Sequence, residues 1–399
     1  MWKTVKLGDV CRIVNGSTPS RKESRFWEDG DVSWFTIDDM REQGRDIFST
    51  AQHVTQSAVE EKKAKVVPEN SVLLCCTASI GEAAIARQAM ATNQQFNALT
   101  PVTEELLCEY LYYVATTLKA KLLSVSGSTT ISFVSMGKLK EIEIPLPPLA
   151  EQQRIVAKLD SAFAEIDRAI DAVAEKARQA ALLRQSAIDN LIEKRGVAIT
   201  TLRDAIEIKH GFAFRSEFFE TEGNMVLLTP GNFEEAGGYR DRGEKQKYYV
   251  GECPSEFVLE GGDLLVAMTE QAKGLLGSPI IVPDDGIFLH NQRLGKVQPK
   301  KQLSLAWLFH YFNTSTVREQ LHQTGTGLKV RHTSPTKIGD LKIKIPPLDE
   351  QINVAHTLDS IITEQKNLAS HYEKQTEQLI ALKSAILAQE LQPQQSEAA

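Results

Sequence analysis

Two short polar runs, Asn93-Gln94-Gln95 and Asn291-Gln292-Arg293, carry groups able to hydrogen-bond the edge of a nucleobase. An amide side chain sets a donor beside an acceptor, the pair that adenine complements in the major groove. Similar side chains stand nearby in sequence. Leu73-Leu74 is followed by Thr77 and Ser79, with Arg87 a little further on, and Leu264-Leu265 is followed by Thr269 and Lys273. Two stretches, Ser126 to Thr130 and Gly325 to Arg331, could bring backbone N–H groups close to phosphate. The first offers Ser128, Thr129 and Thr130, and the second Thr326, Lys329 and Arg331. Phosphate contacts would place such a protein on a duplex, whereas only groove contacts would choose a sequence. Each run also has a plainer reading: Asn93 capping a turn, Gln94 bracing backbone, the Gly-Ser-Thr stretches as surface turns.

No spacing points to catalysis. A phosphate-cradling G-x-x-x-x-G-K-[ST] is absent, as are H-E-x-x-H, Asn-Pro-Pro-Tyr and Asp-Pro-Pro-Tyr, and the eight histidines are scattered. Pro283-Asp284 opens like a nuclease motif, but no E-x-K follows it closely; Glu61-Lys62-Lys63 reads as a solvated helix face. The five cysteines contain no C-x-x-C pair, so neither a zinc site nor a disulfide framework is expected. Cys75-Cys76 reads as strand packing, with the two thiols on opposite sides.

The elements carrying these residues are written twice. Ile144-Pro145-Leu146-Pro147-Pro148-Leu149-Ala150-Glu151-Gln152 aligns with Ile343 to Gln351 at an offset of 199, and Leu159-Asp160-Ser161 with Leu358-Asp359-Ser360. Leu7 to Gly16 parallels Leu202 to Gly211 at an offset of 195, so insertions fall within the globular parts. After each Pro-Pro, which suits a helix start, the apolar period becomes heptad. Ile155, Leu159, Ala162, Ile166, Ala169, Val173, Ala180, Leu183 and Ala187 form one seam. The other is Val354, Leu358, Ile361, Gln365, Leu368, Tyr372, Leu379, Leu382 and Ile386. A period of 3.5 predicts coiled-coil helices. Polar Lys176, Gln365 and Gln375 would set register or face a partner.

The globular parts read as mixed α/β. Expected strands are Val32 to Ile37, Ser71 to Cys76, Glu141 to Ile144, Met225 to Leu228, Leu264 to Met268 and Leu341 to Ile345; expected helices are Leu106 to Leu123 and Leu305 to Leu321. The resulting plan is two tandem α+β domains, 1–147 and 196–346, with coiled-coil helices at 148–195 and 347–391 and a disordered tail at 392–399. Short connections would make the helices antiparallel and relate the domains by a pseudo-twofold axis.

The net charge of −7 gives nucleic-acid binding no support, although most of the excess acidity, −5, lies in residues 347–399. No run approaches the ~20 apolar residues of a membrane span, and Met1-Trp2-Lys3-Thr4-Val5-Lys6 lacks a signal-peptide core. A cytoplasmic protein is expected.

The chain resembles the specificity subunit of type I restriction-modification systems over essentially its whole length. The likeness rests on Asn15-Gly16-Ser17-Thr18-Pro19, Phe26-Trp27, Asp31-Val32-Ser33-Trp34, Asn70 to Leu74, Asn93-Gln94, Gly127 to Thr130 and the Pro-Pro-Leu-x-Glu-Gln helix start, in that order and in two copies. The second copy departs at His210-Gly211-Phe212-Ala213-Phe214, which replaces the Gly-Ser-Thr-Pro turn. The resemblance implies that each globular domain recognises half of a bipartite site in double-stranded DNA. It implies that the helices set the spacing and dock two methyltransferase subunits and the restriction/translocase subunits. S-adenosylmethionine, ATP and Mg2+ would be used by those partners, and this chain would bind no cofactor and catalyse nothing. Two other classes remain open from the residues alone: a non-DNA scaffold holding two interaction domains apart, and an enzyme with a dispersed site.

Overall fold

A computed structural model describes residues 2–125, 134–194, 199–270, 274–327 and 330–392. Ser128, Thr129, Thr130, Lys273, Lys329 and the tail from 393 onward lie outside the described residues. The chain forms two compact units, Met1–Ala172 with Gln375–Ala399, and Val173–Lys374.

In the first unit a five-stranded sheet runs in the order Cys11–Asn15, Phe96–Pro101, Ser71–Cys75, Ala83–Ala86, Asp46–Ile47. A four-stranded sheet runs Gln52–Val54, Val32–Phe35, Met90–Thr92, Val66–Val67. Ser71–Cys75 is buried at every position, because successive side chains enter different cores. Val72, Leu74 and Cys76 pack with Tyr110, Leu111 and Val114 of the helix Cys108–Thr117. Leu73 and Cys75 pack with Phe35, Met90 and Phe96 under the second sheet. The two adjacent cysteines therefore face opposite ways, as strand geometry requires.

The second unit repeats this scheme. Ile206–His210, Leu294–Pro299, Leu264–Ala267 and Pro279–Ile281 form one sheet; Phe219–Glu220, Tyr248–Tyr249, Met225–Leu227, Ile287–Leu289 and Val258–Leu259 form the other. Leu264 and Val266 join the core holding Trp307 and Leu308, while Leu265 and Ala267 join that of Phe233 and Phe288. Each long globular helix expected from periodicity is divided: Cys108–Thr117 precedes Lys119–Val125, and Leu305–Phe312 precedes Ser315–Thr324. In the second case the Thr314 hydroxyl accepts the Val317 N–H and starts a new helix. The strand expected at Glu141 begins at Glu143, after the short helix Met136–Lys140.

Two long helices, α1 (Leu149–Glu193) and α2 (Leu348–Glu390), carry the heptads. At 1.5 Å per residue α1 is roughly 68 Å long. In the first unit Ile155, Leu159, Val156 and Phe163 of α1 share a core with Ile386 and Leu387 of α2. Beside them Lys383 Nζ lies 2.6 Å from Asp167, and Arg154 and Lys158 enclose the Glu390 carboxylate at 3.1 and 2.6 Å. In the second unit Ile188 and Ile192 of α1 share a core with Val354, Ala355 and Leu358 of α2. Within each unit the start of one helix thus meets the end of the other, an antiparallel pairing.

Seam residues Leu159, Ile166, Val173 and Leu358 are buried, and Tyr372 and Leu379 are half-buried. Leu183, Leu368 and Leu382 depart from the heptad expectation, being 71%, 43% and 48% exposed. After Val173 the buried face of α1 resumes at Ile188 and Ile192 rather than at Ala187. A helix of 3.6 residues per turn drifts away from a strict 3.5 repeat, and here it does so by one position. Lys176 and Gln375 are exposed and Gln365 is half-buried. Among the described residues no helix is long and apolar enough to cross a membrane.

Candidate nucleic-acid interface

Strand register decides which polar residues meet. In the first unit Asn97 pairs with both Asn15 and Leu74, and Phe96 with Cys75. The loops after Asn15 and Cys75 and the turn before Phe96 therefore share one end of the sheet. Cys76 N donates to Gln95 O at 2.8 Å, which brings Thr77 beside the Asn93–Gln95 turn. The Asn93 side-chain oxygen accepts Gln95 N at 2.9 Å, and its amide nitrogen donates to Gln95 Oε1 at 3.2 Å. Asn93 is thus engaged in its own turn, and Gln94 is the exposed member, its Oε1 accepting the Thr18 hydroxyl. Asn15 Nδ2 donates to Asn97 Oδ1 at 3.2 Å, and Lys65 Nζ to Asn15 O at 3.3 Å.

The second unit builds the same turn. Asn291 Oδ1 accepts Arg293 N at 3.1 Å, and Met268 N donates to Arg293 O at 2.9 Å. Asn291 is buried, and Gln292 and Arg293 are exposed. Thr269–Glu270 pairs with Arg331–His332, so Thr269 and Arg331 belong to one ribbon. Arg331 donates to the carbonyls of His322 and Gly325, at 2.5 and 3.3 Å, and Thr326 N donates to His332 O at 3.0 Å. Glu270 anchors this ribbon. It accepts from the N–H groups of Gly274, Leu275 and Leu276 and lies 3.0 Å from His322 Nδ1. Burial would raise its pKa, but the Leu276 and Gly274 N–H bonds and His322 outweigh that and hold it below the usual range.

One glycine in each unit makes the turn possible. A Cβ on Gly16 would lie 2.1 Å from Asn93 O, and one on Gly211 would lie 2.2 Å from Asn291 O. The chain crosses the turn at a separation that only glycine permits.

Arg87 does not join this cluster. It follows Ala86, which pairs with Ser71 at the opposite end of the strand from Cys75. Its guanidinium lies 2.6 Å from Asp46, 2.9 Å from Glu109 and 3.0 Å from Asn70 Oδ1. Asp46 also binds Arg45, which reaches Asp160 of α1 at 2.5 Å. The Arg87 network ties the domain to its helix.

Sequence reasoning missed a pair of capping threonines. Thr36 N and its hydroxyl donate to Asp39 Oδ2 at 2.7 and 2.9 Å; Thr229 N and its hydroxyl donate to Asn232 Oδ1 at 3.0 and 3.1 Å. Thr36 directly follows Phe35, whose carbonyl accepts Asn93 N. The Thr-x-x-Asp and Thr-x-x-Asn spacings were the available signal. Also missed were Arg242 and Lys247. They line a hollow of about 480 Å³ with Thr229, Thr269 and Arg293. An adjoining hollow of about 250 Å³ shares Thr229, Lys247 and Arg293 and adds Phe214, Asn291 and Gln292. Three cations and several hydroxyl and amide groups thus border a concave surface suited to an anionic, hydrogen-bonding polymer, with the Glu270 carboxylate also in the lining but taken up by backbone N–H groups and His322. Among the described residues no cluster of His, Cys, Asp or Glu is placed to hold a metal ion.

Over residues 1–176 and 194–377 the chain matches the family described as type I restriction modification DNA specificity domain. It is 25% identical over 370 residues to the EcoprrI type I restriction enzyme specificity subunit of Escherichia coli, covering 90% of this chain and 86% of that one. The MjaIX specificity subunit of Methanocaldococcus jannaschii is 35% identical over 161 residues, 40% of this chain and 37% of that one. Among solved structures, a chain from work on complex assembly and conformational transition of the type I R-M system superposes with a TM-score of 0.78. Identity is 20%, and 99% of this chain and 98% of that one are covered. The HsdS subunit from Thermoanaerobacter tengcongensis gives a TM-score of 0.56 at 20% identity, over 98% and 96% of the two chains. At such identity the superpositions speak for the fold.

Proposed function

The chain belongs to the type I restriction-modification DNA specificity family, and from that premise we propose that each of its globular domains reads one half of a bipartite double-stranded DNA target. The proposed contacts are exposed Gln94 with half-buried Thr77 and Ser79 in the first domain, and exposed Gln292, Arg293 and Thr326 with half-buried Thr269 and Arg331 in the second. Asn93 and Asn291 shape the presenting turns, and Arg87 holds its domain to α1. The loop residues Ser128, Thr129, Thr130, Lys273 and Lys329 complete the proposed surface.

The long helices set the gap between half-sites and dock two methyltransferase subunits and the restriction/translocase subunits. Those partners use S-adenosylmethionine, ATP and Mg2+, and this chain contributes the address without a reaction of its own. The observation that carries the reading is the repetition, in both domains, of one glycine-crossed turn presenting exposed polar side chains.

The test is the adenine methylome of the source strain with and without the gene. Loss of one split motif on deletion supports the reading. An unchanged methylome in a strain whose partner methyltransferase is expressed overturns it.

A further inference from the structure

Beneath the hollow of the second domain lies a buried amide pair. Asn232 is fully buried and Gln246 is 3% exposed, and Asn232 Nδ2 donates to Gln246 Oε1 at 2.8 Å. Each amide then reaches a different loop. Asn232 Oδ1 holds Thr229 through two bonds, while its backbone carbonyl accepts Arg240 N at 2.8 Å. Gln246 N donates to Gly243 O at 2.8 Å, and its Nε2 donates to Lys247 O at 3.3 Å. The Arg242 guanidinium lies directly over Gly231, where a Cβ would come within 2.9 Å of Nη1. Thr229, Arg242 and Lys247, three walls of the concave surface, therefore stand around one buried amide pair, with Thr229 and Lys247 further linked through the paired strands Met225–Leu227 and Tyr248–Tyr249.

We infer that Asn232 and Gln246 are positioning residues for sequence discrimination by the second domain, and that Arg242 and Lys247 belong to its DNA-reading surface. This rests on the proposed DNA reading and extends it to residues that themselves touch no DNA. Buried amides are costly unless paired, and here the pair adds a side-chain tie to loops whose strands are otherwise joined only at Val226–Tyr248 and through Leu227 N donating to Lys247 O. The first domain meets the same need with a carboxylate. Asp39 Oδ2 holds Thr36, and Asp39 Oδ1 accepts Ala51 N at 2.7 Å. An aspartate at position 232 could likewise cap Thr229, and Gln246 could turn its amide to donate to it. Leucine, branched alike but apolar, could do neither.

The experiment uses the full chain with its methyltransferase partner and duplexes carrying the motif that disappears from the methylome on gene deletion. Competition binding compares the intact duplex with duplexes altered in one half-site or in the other. For Asn232→Leu, discrimination against changes in one half-site should fall about tenfold, the scale of one base pair's readout, with the other half-site still discriminated as in wild type. Asn232→Asp should retain both. Lys247→Ala should weaken binding and flatten its salt dependence.

Wild-type discrimination of both half-sites by Asn232→Leu would overturn the inference. So would equal loss at both half-sites, which marks general misfolding, or failure of Asn232→Asp to rescue. A wild-type complex that discriminates neither half-site would instead remove the DNA reading itself.

Discussion

The side-chain oxygen of Gln152 accepts the backbone N–H of Leu107 at 2.9 Å, while its amide nitrogen donates to the carbonyls of Glu105 and Pro147 at 2.6 and 2.8 Å. Gln351 does the same in the second unit, accepting Ser304 N at 2.9 Å and donating to Pro346 O at 2.8 Å. Both side chains are essentially unexposed. The Gln of the repeated Pro-Pro-Leu-x-Glu-Gln run thus fastens the first turn of each long helix to the segment that leads into its domain's own helix.

Gln152→Ala should leave a buried N–H and two carbonyls without partners. Each orphaned group costs about 1–3 kcal/mol, so the melting temperature should fall by several degrees. Calorimetry of the full chain checks this, and a melt equal to wild type would show that water replaces the clamp.

Gly16→Ala and Gly211→Ala should each displace a presenting turn, because the new Cβ meets backbone oxygen near 2 Å and backbone cannot rotate away. A stability loss of roughly 1–3 kcal/mol is expected from overpacking alone. DNA affinity should drop with it, and a competition assay should show impaired reading of one half-site per variant. Wild-type affinity in both would mean that the turns do not touch DNA.

Stability should also depend on pH through His290, which is 2% exposed and whose Nε2–H donates to Leu294 O at 3.0 Å. Burial pushes its pKa down from 6.5 to about 4. Above pH 6.5 the ring is neutral in folded and unfolded chains alike, and its favourable packing is fully present. As pH falls the unfolded chain takes up the proton first, so stability drains away between about 6.5 and 4, by roughly 3 kcal/mol in total. The loss in melting temperature from pH 7 to pH 5 should shrink in His290→Asn; an unchanged loss would assign the effect to other groups.

Arg293→Ala should lower the slope of log affinity against log salt by about one if the side chain meets phosphate. Arg87→Ala should lower thermal stability and leave that slope alone, because its guanidinium is held by Asp46 and Glu109. A reversed pattern would exchange the roles of the two arginines.

Much of the architecture was legible because it was written twice. The 199-residue offset located both helices to within about two residues, since proline restricts the helix start and a heptad run needs no distant partner to be seen. The strands Ser71–Cys75 and Leu264–Ala267 were legible as short apolar runs. The candidate interface was legible only as a set of loops. Asn93 and Arg87 carry the right groups for base contact, yet one is engaged by its own turn and the other by an ion-pair network. Those engagements depend on strand register, which composition does not encode. Arg242 and Lys247 escaped notice for the converse reason: nothing local marks them, and they become neighbours of Arg293 only when the loops fold onto Asn232 and Gln246.

The strand Ser71–Cys75 sends alternate side chains into two separate cores. A slip of one residue would exchange every occupant of both, so its register is fixed from either face at once. Variation in this protein is thereby channelled. Residues can be replaced beyond the strand ends, where Thr77 and Gln94 sit, so long as Cys76 and Ile80 keep their places in the first core. A scaffold that forbids movement along the strand in this way leaves the loops at its ends free to diverge while the folded body stays the same.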